Sequence, residues 1–419
     1  MEQILNKTIE RIKHNDYCIG CGLCKSLCPV FAITMNFSYE KGQYLPFVNS
    51  SKCTKCGICL AVCPGDEINH PLLHQLVHQC QPEDPYTGSY LKICTAHSTN
   101  KDYREQGASG GFVTQLLANL LESKAVDAVL VCGMASDKIY EPEGYLIRDA
   151  NELYKYQRSV YTNVFWAKPF REIQAERLRI AVVGLPCQLH GLMKAINLKP
   201  ELREYFRFTI GLFCGGSYNF QAVDKTLSDM NIPVSEVKRI DFRWGEWPGK
   251  MRILKKDGRE ILTKRGAHFR TNYLPRCFFC FDFLADLADV SVGDNWIEGA
   301  EKGENIVVFR KQKIFPYLEN IECNDIDVGD LYESHYLRSY RHRFTSINRK
   351  ISNFFHSKAP NIIPYEGIKT TWKHKLYALL EYHQFHMQDA SETHTKLFLK
   401  LKDIYFHFVM KNESKKRDK

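Results

Sequence analysis

Residues 18–29 read Cys-Ile-Gly-Cys-Gly-Leu-Cys-Lys-Ser-Leu-Cys-Pro, and residues 53–64 read Cys-Thr-Lys-Cys-Gly-Ile-Cys-Leu-Ala-Val-Cys-Pro. Each run spaces its cysteines as Cys-x-x-Cys-x-x-Cys-x-x-x-Cys and ends in proline. Eight of the 16 cysteines of the chain therefore lie in one short segment. This clustering and the repeated spacing indicate a metal site rather than a general preference for cysteine.

The spacing is typical of two cubane iron–sulfur clusters. Three closely spaced thiolates surround one cluster, and the fourth, before proline, leaves that loop and binds the other cluster. We therefore predict one [4Fe–4S] cluster at Cys18, Cys21, Cys24 and Cys63, and a second at Cys53, Cys56, Cys59 and Cys28. Two structural zinc sites are the alternative, but the triple spacing before proline favours clusters. The segment resembles two-cluster ferredoxins, which implies a small pseudo-symmetric domain with two short hairpins and two helices.

The composition of the whole chain bounds its class. Of its 419 residues, 44% are hydrophobic and 25% are charged, which excludes wholesale disorder. Residues 1–17 carry no apolar stretch of a secretory signal, and no apolar run is long enough to span a membrane. We therefore expect a cytoplasmic protein with reduced thiols. The net charge of +9 permits an acidic partner or an anionic membrane surface without requiring either, and no nucleic-acid partner is expected.

Beyond the ferredoxin-like segment, strand-like runs alternate with helical patterns, as in α/β or α+β domains. Two glycine turns precede helical segments. In residues 107–111 (Gly-Ala-Ser-Gly-Gly), Ser109 is a candidate N-cap, and the exposed backbone N–H groups suit a phosphate; a capped tight turn is the alternative. The second turn is residues 184–188 (Gly-Leu-Pro-Cys-Gln). Two such turns would suit a dinucleotide or flavin across the strand ends.

The other eight cysteines are scattered. Taken alone, Cys187 and Cys214 are most simply buried, inert thiols, yet with the pair Cys277 and Cys280 they supply four thiolates, enough for a third cluster. The remaining four lack partners at ligand spacing, and we interpret them as structural: Cys80, Cys94, Cys132 and Cys323.

Residues from about 90 to 330 resemble the flavoprotein β subunit of coenzyme F420-reducing hydrogenase and its relatives, which include F420-dependent dehydrogenase subunits and 7-hydroxymethyl chlorophyll a reductase. The two glycine turns, the four scattered cysteines and residues 289–294 (Asp-Val-Ser-Val-Gly-Asp) carry the resemblance in this order. It implies FAD and a third [4Fe–4S] cluster at Cys187, Cys214, Cys277 and Cys280. It also implies flavin contacts at Ser109, Gly110, Gly111, Gly184, Gln188 and Asp294. Leu185 departs from the family's usual threonine and removes one hydroxyl near the site.

The predicted fold class is α+β, with a two-cluster ferredoxin-like domain fused to a mixed α/β flavoprotein domain and a helical C-terminal region. We divide the chain into a [4Fe–4S] dicluster ferredoxin-type domain (1–75), regions similar to the N-terminal and C-terminal parts of the F420 hydrogenase/dehydrogenase β subunit (80–175 and 176–335), and a basic helical extension (336–419).

The resemblance and the clusters together predict an iron–sulfur flavoprotein oxidoreductase. It would pass electrons from reduced ferredoxin, or an electron-donor subunit, through the clusters to FAD and a small or lipid-linked organic substrate. Relatives of this fused form occur among bacterial surface-polysaccharide biosynthesis genes, so such a substrate is one expectation by analogy. The alternative is a non-enzymatic electron-transfer subunit that feeds a partner oxidoreductase. Nothing in the sequence fixes the tail of coenzyme F420 itself.

Two further patterns leave alternatives open. His70, His74 and His78 recur every four residues, a spacing that could hold zinc, although a solvated helix face is favoured because no fourth ligand is evident. His190 could relay protons or simply pack. The segment 396–410 interleaves lysines with apolar residues. It is either an amphipathic helix on an anionic membrane or a helix packed on the catalytic domain.

Overall fold

The computed structural model describes residues 7–82, 84–134, 141–301, 303–339, 347–351, 360–363, 372–385 and 392–405, with residues 139 and 387. The strands, in chain order, are β1 (Ile33–Ser38), β2 (Gln43–Val48), β3 (Ile68–Asn69), β4 (Lys92–Ser98), β5 (Ala128–Met134), β6 (Pro142–Ile147), β7 (Ile180–Gly184), β8 (Phe206–Leu212), β9 (Val237–Trp244), β10 (Lys250–Lys255), β11 (Glu260–Thr263), β12 (Val290–Asp294), β13 (Asn305–Phe309), β14 (Ile321–Asp325) and β15 (Ile362–Ile363).

The helices are α1 (Glu10–His14), α2 (Leu23–Ser26), α3 (Ile58–Ala61), α4 (His70–His78), α5 (Lys101–Gln106), α6 (Phe112–Glu122), α7 (Phe170–Ala175), α8 (Pro186–Leu198), α9 (Gln221–Asp229), α10 (Ala267–Thr271), α11 (Val328–Ser339), α12 (Trp372–Phe385) and α13 (Glu392–Tyr405). Short 3₁₀ helices cover Ala150–Tyr156, Pro200–Glu204, Val234–Glu236, Pro275–Phe279 and Gln312–Tyr317. The predicted combination of a ferredoxin-type domain and a mixed α/β domain is confirmed.

The N-terminal segment repeats one local structure at its two cysteine runs. In each run a glycine in the left-handed region, Gly22 (φ 82°) or Gly57 (φ 79°), precedes a one-turn helix, α2 or α3, that carries the third cysteine. Glycine suits these positions because a Cβ atom disfavours positive φ. β1 and β2 form an antiparallel hairpin. The second expected hairpin is absent from the described residues, and β3 instead pairs in parallel with β15.

An eight-stranded mixed sheet forms the body of the molecule, in the order β14-β4-β13-β12-β8-β7-β5-β6. β12, β8, β7 and β5 are parallel neighbours, and β4 runs in the same direction because both β4 and β12 pair antiparallel with β13. The carboxyl ends of these five strands therefore lie at one edge, where open α/β sheets bind ligands. A separate sheet, β11-β10-β9, follows β8 in the chain.

The ferredoxin-type segment packs into the body rather than hanging from it. One hydrophobic core contains Leu23 and Val62 from this segment together with Leu189 and Leu192 of α8. Backbone bonds join the two parts, as Ala167 N donates to Cys21 O at 2.8 Å. The opposite face of the sheet packs on α6 in a second core. The cysteine runs are thereby held in a fixed position against the sheet.

Candidate iron–sulfur and flavin site

The structure brings Cys63 to the first cysteine run, as the crossed assignment predicts. Burial, and next the thiol of Cys63, raise the pKa of Cys18 to about 12. Burial and then the same thiol raise the pKa of Cys21. Backbone amides point at the sulfurs: Gly20 N donates to Cys18 Sγ at 3.4 Å, and Gly65 N to Cys63 Sγ at 3.3 Å. Buried sulfurs whose thiolate forms would repel one another, and which accept bonds from backbone amides, fit a site where a metal cluster supplies the compensating positive charge.

The second set lies nearer to solvent. Cys28, Cys53, Cys56 and Cys59 line one small cavity near the surface. Cys56 is exposed, while Cys59 is buried. Ala32 N donates to Cys28 Sγ at 3.3 Å, and Lys55 N to Cys53 Sγ at 3.4 Å. The cavity and its amide donors fit a cluster that has one edge at the surface.

The two sets are neighbours. Burial raises the pKa of Cys24 well above its ordinary value, and four nearby thiols raise it further: Cys21, Cys18, Cys63 and Cys59. Cys59 belongs to the second set. The two candidate sites therefore lie within electrostatic reach of each other.

The four scattered cysteines converge through the sheet topology. Cys187 follows β7 and Cys214 follows the adjacent parallel strand β8, so both lie at the carboxyl edge. The 3₁₀ turn at Pro275–Phe279 and the residue after it contribute the other two. Burial raises the pKa of Cys187 well above its ordinary value, and three neighbouring thiols raise it further: Cys214, Cys280 and Cys277. Ser217 N donates to Cys277 Sγ at 3.4 Å.

Arg276 lies between the first and third sets. Its side chain is buried, with 1% exposed, and Nε donates to the carbonyl of Pro64, the residue after Cys63, at 2.9 Å. Nη1 and Nη2 are buried and have no hydrogen-bond partner among the described residues. Leaving such groups unsatisfied is costly, and sulfides or thiolates of clusters on either side would accept these bonds. The guanidinium therefore fits the predicted clusters.

α8 brings the third set close to the first. At Gly191, a Cβ atom would lie only 2.4 Å from Leu23 Cδ1 and 3.3 Å from the carbonyl oxygen of Val62. A side chain at this position would force Leu23 to move, so glycine allows the close contact between α8, which carries Cys187 in its first turn, and the cysteine loops. Lys194, one turn later, donates to Cys63 O at 2.7 Å.

The first glycine turn lies at the predicted edge with a different local role. Ser109 is not the N-cap of α6. Gly111 (φ 74°) holds that position, and Ser109 Oγ donates to Glu304 O at 2.5 Å. Asn305 Oδ1 accepts from Phe112 N at 3.4 Å. A Cβ on Gly110 would lie 2.8 Å from Ala96 O, so this glycine permits close packing on β4. The expected open phosphate site at the start of α6 is thus partly occupied by the Asn305 side chain.

The other predicted flavin residues lie at the ends of β7 and β12. Gly184 ends β7, and Gln188 Oε1 accepts from Leu185 N at 2.7 Å at the start of α8. Asp294 ends β12 and accepts from Arg243 Nη1 at 2.8 and 3.0 Å. These contacts stabilise the edge, and whether these residues touch a flavin stays a prediction.

The three histidines of α4 are buried, so the expected solvated face is wrong. His70 Nε2 and His74 Nδ1 lie 2.9 and 2.8 Å from Asp286 Oδ2. His78 Nε2 lies 2.7 Å from the backbone oxygen of Asp286. The sequence could not reveal this partner, because it lies more than 200 residues away along the chain. His190 packs against Phe281 in a stacked arrangement, and its Nε2 lies 3.0 Å from Asp282 Oδ2.

Family models match most of the described body. Residues 93–168 match the N-terminal model, and residues 178–333 the C-terminal model, of the coenzyme F420 hydrogenase/dehydrogenase β subunit. Residues 17–66 match the 4Fe-4S dicluster domain. The chain belongs to the family of coenzyme F420 hydrogenase/dehydrogenase β subunits. Its dicluster domain marks this family member as an iron–sulfur protein.

Individual relatives agree with this assignment. The β subunit of coenzyme F420 hydrogenase of Methanosarcina barkeri is 27% identical over 231 residues, which cover 51% of this chain and 75% of the relative. A subunit of the F(420)H(2) dehydrogenase of Methanosarcina mazei is 27% identical over 311 residues, covering 73% and 82%. A chain of the F420-reducing [NiFe] hydrogenase complex of Methanosarcina barkeri superimposes with a TM-score of 0.54 at 22% identity, covering 66% of this chain and 98% of that one. This last similarity supports the fold of this family member.

The C-terminal helices of this family member are only partly as expected. Lys402 of α13 is buried, and its Nζ lies 3.6 Å from Glu381 Oε1 of α12. Leu397, Leu401 and Ile404 of α13 are exposed. Residues 406–419, part of the predicted basic helical extension, lie outside the described residues. No helix among the described residues is long and apolar enough to cross a membrane.

Proposed function

We propose that this chain is the electron-transfer subunit of an oxidoreductase, with three [4Fe–4S] clusters bound in series. The single observation that supports this most strongly is the sequence of contacts between the three thiol sets. Cys24 lies near Cys59, and Arg276 bonds Pro64 beside Cys63 while preceding Cys277. Each such cluster, when bound, carries one electron at a time.

The chain's own residues set the two ends of this series. The set with exposed Cys56 is the end that a soluble donor or a donor subunit would approach. Lys52 and Lys55 flank it and are exposed, which suits an acidic partner such as a ferredoxin. The set at Cys187 lies at the carboxyl edge of the sheet, where the acceptor would bind. The relatives named as hydrogenase and dehydrogenase subunits support a partner oxidoreductase.

The first experiment is a cofactor count on protein purified without oxygen. We expect about twelve iron atoms per chain, four for each cluster. Cys187→Ser should lower this number to about eight. Cys132→Ser is the matched control, because Cys132 is likewise a half-buried thiol and lies in β5, near its carboxyl end. About eight iron atoms in the wild type, or no loss in Cys187→Ser, would contradict the third cluster.

FAD at the carboxyl edge is a second part of the proposal. When bound, it would exchange two electrons with an organic substrate and single electrons with the clusters. Of the predicted contacts, Gly184 ends β7 directly before the turn that carries Cys187, and Asp294 ends β12, two strands away at the same edge. The supernatant of acid-denatured protein should contain one FAD per chain. Its absence would leave the electron-transfer subunit without an enzymatic role of its own, and a surface-polysaccharide substrate would lose its basis.

A peripheral membrane contact through α13 is the third part. Leu397, Leu401 and Ile404 are spaced at helical intervals and exposed, and Lys396 and Lys400 lie on the same helix. Such a combination of apolar and basic residues suits an anionic lipid surface.

A further inference from the structure

Strand β9, the segment before Tyr161 and the residues after β11 contribute to a positively charged cluster that the dicluster and third-cluster sites do not use. Arg243 is 95% buried, and Arg158 Nη1 donates to its backbone oxygen at 3.0 Å. Arg265 Nη1 donates to Phe242 O at 2.7 Å, and its guanidinium lies 4.5 Å from the centre of the Tyr161 ring. We call Arg158, Arg243 and Arg265 the arginine cluster.

The charges of the arginine cluster are not balanced. Asp294 pairs with Arg243 at 2.8 Å, whereas Arg158 and Arg265 have no carboxylate within ion-pair distance among the described residues. Three guanidinium groups against one carboxylate leave two positive charges. The nearby Asp241 is already paired with Arg239 and Arg252. Arg158 is half-buried and Arg265 is exposed, so the excess positive charge faces solvent, where it can attract an anion that the chain itself does not supply.

Two of the arginines have features that are common at binding sites. Arg243 Nη2 is buried and has no partner at full hydrogen-bond distance among the described residues, although the Tyr161 hydroxyl interacts with the same guanidinium. Arg158 adopts φ 78°, a region that residues other than glycine rarely enter, and its guanidinium lies 4.3 Å from the centre of the Trp244 ring. Such backbone strain persists where the surrounding structure enforces it, and it is concentrated at functional sites.

Tyr161 places the arginine cluster beside the third thiol set. Ser217 Oγ donates to Tyr161 O at 3.3 Å, and Ser217 N donates to Cys277 Sγ at 3.4 Å. One residue therefore connects the arginine cluster with a predicted cluster ligand. Only the placement of the arginine cluster beside a third iron–sulfur cluster rests on the proposed function.

Aromatic side chains define the rest of the ligand. Trp247 lies in the β9–β10 turn, and Trp296 follows Asp294 by two residues; their ring centres are 4.5 Å apart. Trp296 is 47% exposed, and Trp247 Nε1 is buried without a hydrogen-bond partner among the described residues. A flat ring attached to a phosphate would find both an aromatic surface and guanidinium donors here.

We infer that Arg158, Arg243 and Arg265 bind a phosphate or pyrophosphate group of a ring-containing ligand next to the third cluster. Guanidinium groups match phosphate oxygens in pairs, and a doubly charged phosphate would balance the two unpaired positive charges. The phosphate has two plausible sources, the pyrophosphate of FAD or a phosphorylated substrate.

The test measures binding of inorganic pyrophosphate to anaerobically purified full-length protein that has been freed of flavin, by equilibrium dialysis. Arg158→Gln and Arg265→Gln should each weaken binding about tenfold or more, the effect of losing a charge-assisted hydrogen bond. Arg259→Gln is the matched control, because Arg259 lies in the neighbouring β10–β11 turn, is exposed and pairs only locally with Asp257. Arg243→Gln is less suitable, since it would also release Asp294.

Competition then distinguishes the two sources. If FAD displaces pyrophosphate, and Arg158→Gln weakens FAD but not riboflavin, the phosphate belongs to the flavin. If FAD does not displace pyrophosphate, the site serves a substrate phosphate. Failure of wild-type protein to bind pyrophosphate, or equal binding by wild type and both variants, overturns the inference. Iron content is measured on the same samples, so that loss of the clusters is recognised separately.

Discussion

Acidification tests the buried histidines that hold α4 against the body. His78 is enclosed next to Asp286, Arg310 and His74, and burial lowers its pKa to about 3 from the ordinary value of 6.5. The charge of Asp286 acts in the opposite direction but does not compensate. The folded protein therefore keeps this imidazole neutral at pH values where an opened segment would bind a proton.

The magnitude follows from proton linkage. Because the opened form binds the proton below pH 6.5 and the folded form does not, the stabilisation of α4 is intact above pH 6.5 and falls as the pH drops. The loss is about 1.4 kcal/mol per pH unit, or about 2 kcal/mol between pH 7 and pH 5. Asp286 does not contribute in this interval. Burial raises its pKa, but hydrogen bonds from His70 and His74 keep it well below 3.8, so its contribution is lost only at lower pH.

Native-state hydrogen exchange measures this effect in the intact protein. After correction for the intrinsic exchange rate, the protection of amides 70–78 should fall about 30-fold between pH 7 and pH 5. His78→Gln removes the titrating group and should make the protection of this segment nearly independent of pH. His383→Gln, at an exposed position on α12, is the control. An equal pH dependence in wild type and His78→Gln would refute the argument.

Three further outcomes are expected. Cys63→Ser should remove the iron of the buried first set, and Cys28→Ser should remove the iron of the second set near the surface. EPR spectra of the two variants distinguish these losses. If each variant instead damages the cluster of its own sequence run, the crossed assignment is wrong. Arg276→Gln should lower the reduction potential of the adjacent clusters by on the order of 50 mV at unchanged iron content, because a charge-assisted hydrogen bond is lost. An EPR-monitored redox titration measures this potential. An unchanged potential would show that Arg276 is only structural. Leu401→Asp should reduce the fraction of protein that sediments with phosphatidylglycerol vesicles several-fold relative to Leu397→Gln. The reason is that it introduces a negative charge as well as removing an apolar contact. A wild-type protein that stays in the supernatant would exclude the membrane contact.

The sequence alone was sufficient for the dicluster segment because its ligands lie close together in the chain. Their spacing constrains the backbone around each cluster, and the glycines at 22 and 57 provide the turns. The third set is different. Cys187 and Cys214 become neighbours only because β7 and β8 pair in parallel, and no local pattern encodes that pairing. A count of thiolates only allowed the four to form one site, and the resemblance to the family of β subunits is what predicts that they do.

Other features depend on long-range contacts and were not predictable. The histidine spacing in α4 was visible, but its partner Asp286 is not marked by any motif. The arginine cluster depends on the pairing of Arg243 with Asp294 across 51 positions of the chain. Ser109 was misassigned as a cap for the same reason, because Asn305 from a distant strand occupies the helix end. The local sequence therefore predicts which side chains can bind a metal or form a hydrogen bond, whereas the topology determines which partners they meet.

The buried contacts between the dicluster segment and the body also constrain how electrons can travel. A swinging ferredoxin domain would have to break the bond between Ala167 and Cys21, expose Leu23, and leave Arg276 without the carbonyl of Pro64. Each buried polar group left unsatisfied would cost about 1–3 kcal/mol, before the apolar surface is counted. The fixed arrangement therefore favours conduction through a rigid series of centres. Under the proposed function, any motion would then belong to a partner that approaches the exposed Cys56 end.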